Sequence, residues 1–255
     1  MKAIIRMVMA VMAAAPLSLA AADAGGSLPD VDSVLKQVSD RAARESANDR
    51  EFSRRYTFAE SKVTEYRNGK GQLIKRDEKK SNKNSALVPA VYVAPPAAAG
   101  TAGHDEVQSK VHGQAFEKKD ILLNEQLLKR FEFKVVGRDT IEGRAMIMID
   151  FAPLKKDLPE KTLKDRFINK AAGRVWMDQA DGALAKADLH LTSPVNVLGG
   201  LVGSVWKFDY SFERSRTSDG LWYTRAVDWH LEGREVIVNR TVDYHEQKSD
   251  VRRAM

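Results

Sequence analysis

The sequence contains no cysteine among its 255 residues. That excludes a disulfide framework, a thiolate metal site, a cysteine nucleophile and a lipid-modified cysteine at a processed N-terminus. It also lacks a G-x-S-x-G nucleophile turn, an H-E-x-x-H zinc motif and a phosphate-cradling glycine loop. Histidine is scarce, and His104, His112, His190, His230 and His245 show no i, i+4 or close alternating spacing. Only a site assembled across strands would use them as metal ligands, and ordinary surface histidines are the plainer reading. The chain is therefore read as a non-enzyme with no cofactor.

Nor does any stretch beyond the first 20 residues have the length of uninterrupted apolar sequence that a membrane-crossing helix needs. Composition points to a soluble globular protein, with 43% hydrophobic and 30% charged residues and a formal net charge of +6. The mild basic excess suits a solvated surface, an anionic membrane surface or an acidic partner. Along the sequence the basic residues alternate with acids rather than clustering, and no nucleic-acid motif accompanies them, so nucleic acid is not expected as a partner.

Lys2 and Arg6 precede the apolar run Met7 to Ala15, and small residues follow up to Ala24. A charged start, a short apolar centre and small residues at the end define a secretory signal peptide over residues 1–22, with cleavage after Ala20, Ala22 or Ala24. Export to the periplasm follows if the source is Gram-negative. Residues 27–250 are expected to form one domain.

Val31, Val34, Leu35, Val38 and Ala42 fall at helical spacing behind Asp30 and Asp32, which favour a helix N-terminus. Arg54 to Tyr66 reads as a strand, Asn68 to Gly71 as a turn and Gln72 to Lys80 as its return, with enough charge on both arms to face water or form an edge. Residues 86–103 carry three prolines and read as a loop around a short strand at Val91 to Val93. A second helix is expected from Phe116 to Phe131, then a strand, a turn over Gly137 to Gly143 and a central strand, Ala145 to Phe151, apolar on both faces. After a short helix, Thr162 to Lys170, comes the clearest unit of the chain, Gly173 to Thr192. There Val175 and Met177 alternate with polar residues, Ala180-Asp181-Gly182 turns, and Ala185, Ala187, Leu189 and Leu191 alternate again. Pro194 to Gly203 is an apolar loop, and two further hairpins follow, turning at Ser218 to Gly220 and at Glu232 to Arg234. The total is nine or ten strands joined as a meander.

The hairpin pattern V-W-x-D-x-x-D-G-x-L, carried by Val175, Trp176, Asp178, Asp181, Gly182 and Leu184, resembles the outer-membrane lipoprotein-sorting family, the LolA-like carriers. So does the order of elements around it, with W-K-F-D-Y and Y-x-x-x-x-D-W-H in later strands. The resemblance implies an α+β fold in which a large curved antiparallel sheet, an incomplete β-barrel, wraps around a few helices and leaves an apolar cavity for acyl chains. It further implies partners in lipid or lipoprotein acyl chains, an envelope donor and acceptor, and brief membrane contact on the way to the outer membrane.

The wall of such a cavity would draw on Met146, Met148, Val175, Met177, Leu189, Leu191, Trp206, Phe208, Tyr210 and Trp229. Leu198 and Leu201, in the apolar loop, would gate its mouth or touch a membrane; an ordinary buried crossover is the alternative for that loop. Filled core is the alternative for the aromatic strand residues. If the interior is filled, the same fold reads as a ligand-free structural or adaptor protein of the cell envelope. Asp178 and Asp181 are expected to shape the hairpin turn rather than to act as an acid pair.

Overall fold

The computed structural model describes residues 27–83, 128–154, 158–160, 162–197 and 203–254. The signal-peptide segment, the loop over 86–103, all but the last residues of the expected second helix, and Leu198 and Leu201 lie outside the described residues. The first helix, α1 (Val31–Arg55), is capped by Asp30, whose side chain accepts from the backbone N–H of Asp32 at 3.1 Å and Ser33 at 3.2 Å. Its buried face begins apolar with Val34 and Val38 and continues as Glu45, Asn48 and Phe52. The switch from apolar to polar keeps the helical spacing, which is why the pattern in sequence fades after Ala42 although the helix runs on. Tyr56 enters extended backbone and starts β1 (Tyr56–Asn68), so Arg54 and Arg55 belong to the helix rather than to the strand expected there.

The remaining elements are β2 (Leu73–Lys83), β3 (Phe131–Ile141), β4 (Arg144–Pro153), α2 (Leu163–Ile168), β5 (Ala171–Asp178), β6 (Leu184–Leu191), β7 (Val195–Val197), β8 (Gly203–Arg216), β9 (Trp222–Glu235) and β10 (Val238–Arg253). They form one antiparallel sheet in the order β2-β1-β10-β9-β8-β6-β5-β4-β3, and β7 pairs with the start of β8. Among the described residues the sheet is open: β2 and β3 are its two edges and it does not close into a barrel.

Four local expectations are corrected. Gly137 to Gly143 is not a turn, because β3 runs to Ile141 through an irregularity between Val135 and Gly137, leaving Glu142-Gly143 to reverse the chain. Glu232 to Arg234 is likewise strand, and the reversal falls at Val236-Ile237. Part of the expected apolar loop, Val195 to Val197, is β7. Strand β4 is apolar on both faces but sits next to the edge strand β3 rather than in the middle of the sheet.

Helix α1, about 37 Å long at 1.5 Å per residue, is comparable to the sheet's width of about 38 Å at 4.8 Å per strand. It crosses one face. Val34 and Val38 at its start pack with Ile147, Ile149, Val175, Met177 and Ala187 of β4, β5 and β6. Phe52 at its end stacks on Tyr223 of β9 and on Tyr56 and Phe58 of β1, with centroids 4.9, 5.3 and 5.6 Å away. The helix side is called the inner face below.

Candidate functional site

Directly paired residues of an antiparallel sheet share a face and neighbours along a strand alternate, so the register sorts every candidate residue. One inner row runs Val175, Ala187, Phe212 and Val227; the next runs Leu189, Tyr210, Trp229, Tyr244 and Thr64; a third pairs Phe208 with Leu231, Val242 and Tyr66. Rings make the middle of this face continuous. Phe208 lies 6.4 Å from Tyr210 and 6.3 Å from Trp229, and Trp229 stacks on Tyr244 at 5.3 Å. Phe167 of α2 meets Phe208 edge-on at 6.0 Å.

Toward β1 and β10 the inner face becomes ionic. Lys62 pairs with Glu246 at 3.1 Å and Lys248 with Glu60 at 3.4 Å, and the Tyr244 hydroxyl donates to Glu246 at 2.6 Å. Burial pushes the Glu246 carboxyl up, but the Tyr244 hydroxyl, Lys248 and Lys62 outweigh it and hold it below the usual carboxylate range. Burial, reinforced by the Glu246 charge, pushes the Tyr210 hydroxyl up to about 12 and raises Tyr244 as well. Both phenols are therefore neutral at physiological pH and present an uncharged, partly apolar surface.

The structure divides the sequence-derived wall. Val175, Met177, Leu189, Phe208, Tyr210 and Trp229 share the inner face, and Leu191 packs at its end with Phe167, Val195 and Val205. Val175 and Met177 are sealed under α1, whereas Phe208, Tyr210 and Trp229 are half-buried. Met146 and Met148 pair with Asp178 and Trp176 and so stand on the opposite face from Ile147 and Ile149. Trp206 sits at an irregularity of β8, 40% exposed, with its indole N–H donating to Glu232 at 3.4 Å.

Between the sealed and half-buried regions α1 is latched by polar groups. Arg214 donates to both oxygens of Glu45, at 3.2 and 2.7 Å, and both residues are 7% exposed. Asn48 exchanges two bonds with the backbone of Trp222, at 2.7 and 3.0 Å. Asp178 and Asp181 join the same region: Asp178, fully buried, accepts from Arg144 at 2.5 and 2.9 Å and from the backbone N–H of Ala180 and Asp181. Burial pushes the Asp178 carboxyl up, and Arg144 with those N–H groups more than reverses it. The hairpin acids are built into the turn and its supports.

On the outer face the register assembles what spacing along the sequence conceals. His190 pairs with Asp209, Asp209 with His230, His230 with Asp243, and Asp228 with His245. These residues line a groove of about 710 Å³ together with Glu65, Arg76 and Asp188. His230 is held at both ring nitrogens, by Asp243 at 2.6 Å and Glu232 at 2.9 Å, and His245 bonds Asp228. Burial lowers the His230 pKa, yet the two carboxylates raise it by more. Among the described residues, no group of three or more such side chains is placed to hold a metal ion, and no helix is long and apolar enough to cross a membrane.

No protein-family model matches the sequence, and no curated protein matches it. Among solved structures the chain is similar to a domain described as an outer membrane lipoprotein-sorting protein from Vibrio parahaemolyticus, at 11% identity and a TM-score of 0.36, over 88% of this chain and 93% of that one. It is also similar to a DUF1329 family protein from Desulfovibrio piger, at 14% identity and a TM-score of 0.34, over 86% and 92%. The MucA/MucB complex of Pseudomonas aeruginosa follows at 10% identity and a TM-score of 0.25, over 86% and 99%. These superpositions are loose, and the fold rests on the strand order and register themselves.

Proposed function

We propose that residues 27–250 act as one exported, non-enzymatic carrier that holds lipid or lipoprotein acyl chains against the inner face of the sheet and moves them across the periplasm. The observation that carries this reading is the half-buried aromatic row of Phe208, Tyr210, Trp229 and Tyr244, beside the region that α1 seals. Polar latches, Glu45 with Arg214 and Asn48 with Trp222, tie α1 to β8 and β9, and Phe52 stacks on Tyr223 beside them. An acyl chain asks little more of a site than such apolar walls, with polar groups at one end. Burial of each methylene contributes about 0.8 kcal/mol, so ten supply roughly 8 kcal/mol before ordering costs are subtracted. The ionic group of Glu60, Lys62, Glu246 and Lys248 borders the row and sets a polar limit to it.

The test is native mass spectrometry of the protein recovered from its own host, followed by lipid extraction. Bound lipid in the wild type and a marked loss of it in a Phe208→Ala, Trp229→Ala double variant are the expected results. A wild-type protein that carries no lipid overturns the carrier and leaves the ligand-free adaptor.

A further inference from the structure

Three consecutive pairs in the register of β9 and β10 carry one arrangement through both faces of the sheet: Asp228 opposite His245, Trp229 opposite Tyr244, and His230 opposite Asp243. The middle pair stands on the inner face, where its rings stack 5.3 Å apart. The pairs on either side stand on the outer face and line the groove. Each of these is a cross-strand bond, His230 Nδ1 with Asp243 Oδ1 at 2.6 Å and His245 Nδ1 with Asp228 Oδ1. Each strand supplies one histidine and one aspartate, so two clasps of opposite sense close behind a single aromatic stack.

The neighbouring strands continue the alternation. Tyr210 lies between Asp209 and Ser211 on β8, and Leu189 between Asp188 and His190 on β6. The groove is thus the reverse side of the half-buried wall, residue for residue, and all three described histidines stand on it. We propose that the two His–Asp clasps regulate the inner face, holding the Trp229 and Tyr244 wall in its cargo-binding shape when both imidazoles are protonated and loosening it when they are not. This regulation rests on the carrier reading above and concerns the same site.

Imidazole is the side chain whose ordinary charge change falls between pH 5 and 8. His230 bonds Asp243 and Glu232 at once; only imidazolium can donate to both, and the neutral ring gives one of them up. Neutral His245 keeps a donor for Asp228 but loses the charge that strengthens the bond. Asp209 and Lys207 of β8 also face His230, and Lys207 lies 3.3 Å from Glu232 and 3.8 Å from Asp209. On the far side of β10, Arg67 of β1 approaches Asp243 at 3.5 Å, and Val63 of β1 is the partner of His245. The side chains of His230 and His245 are 31% and 49% exposed, so solvent protons reach both. A wall already fixed in its bound shape loses less freedom when cargo arrives. Affinity is therefore greatest below the imidazole pKa values and falls as pH rises through them.

The experiment is fluorescence titration of the full protein, freed of bound lipid, with phenylnaphthylamine, an apolar probe that stays uncharged from pH 5.5 to pH 8.5. Binding about fivefold or more weaker at pH 8.5 is expected. The His230→Gln, His245→Gln double variant, folded by circular dichroism, is expected to bind equally at the two pH values. The wild type supplies a second measurement that needs no variant. Reciprocity requires bound probe to raise the imidazole pKa values, read from the ring carbons by NMR, with the summed shifts equal to the logarithm of the fold-change. Loss of probe binding in the Phe208→Ala, Trp229→Ala double variant places the probe on the inner row. Equal wild-type binding at both pH values, pKa values that do not move with the probe, or a glutamine variant that keeps the wild-type pH dependence overturns the regulation and leaves the carrier standing. No probe binding at either pH, or binding that Phe208→Ala with Trp229→Ala leaves unchanged, overturns the carrier and the regulation with it.

Discussion

The indole N–H of Trp222 donates to Asp181 Oδ2 at 2.9 Å, tying the turn between β5 and β6 to the first residue of β9. Trp222 is 2% exposed, and the guanidinium groups of Arg144 and Arg214 each lie 5.8 Å from its ring centre. Asp181→Ala leaves that indole donor buried and unpaired, which costs about 1–3 kcal/mol. Asp181→Asn keeps an acceptor at the same place, so urea denaturation is expected to show less than half of that loss. Equal losses in the two variants would shift the weight to the ion pairs of Asp181 with Arg216 and Arg144, at 3.5 and 4.0 Å.

Glu45 and Arg214 form the buried link between α1 and β8. Removing Glu45 alone leaves a cation with 6% of its side chain exposed, and such a break costs about 3–5 kcal/mol. Glu45→Leu combined with Arg214→Met removes both charges and is expected to be more stable than Glu45→Leu alone. A double-mutant cycle in urea gives the coupling directly. Arg41, whose Nε is 3.2 Å from Glu45, loses that ion pair in both Glu45 variants, so its loss cancels in the coupling energy.

How far the fold was legible depends on which signal each element used. The Gly173 to Thr192 hairpin was plain because alternation and the Asp-Gly turn agree, and β5 and β6 form there. The turns expected at Gly137 and Gly233 failed for different reasons: Gly137 follows the irregularity of β3, and Gly233 serves close approach within the sheet. A Cβ on Gly233 would stand 2.7 Å from the Ser204 carbonyl, whereas one on Gly137 would meet only the movable end of the Met148 side chain. The true reversal at Val236-Ile237 carries no turn residues at all, so local preference pointed away from it. The inner aromatic row was visible as alternation in β8 and β9, but not the division that puts Met146 and Met148 on the other face. Nor could spacing reveal the histidine and aspartate pairs of the outer groove, since they depend on register between distant segments.

Val236, in the reversal between β9 and β10, has φ +55°, and Val236→Gly tests the strain of that left-handed conformation. Left-handed backbone costs a β-branched residue about 1–2 kcal/mol, while glycine forfeits roughly 0.4–1 kcal/mol through a looser unfolded chain. The relief is larger, so the variant is expected to unfold at slightly higher denaturant concentration than the wild type. A lower midpoint would mean that the Val236 side chain contributes packing its exposure does not show.

His230 is the group whose titration the fold most clearly addresses. Both ring nitrogens face carboxylates, Asp243 and Glu232, and only the imidazolium can donate to both. Burial lowers its pKa, the two acids raise it by more, and Lys207 opposes them slightly, leaving the folded value above the ordinary 6.5. Because the folded pKa is the higher one, the stabilisation is complete below the unfolded pKa and is lost as pH rises through the folded pKa. Denaturation midpoints of the wild type are therefore expected to fall from pH 5.5 to pH 8.5 by more than those of His230→Gln, whose amide does not titrate. NMR titration of the imidazole carbons measures the pKa directly. A His230→Gln protein with the same pH dependence as the wild type would show that His230 does not carry the effect.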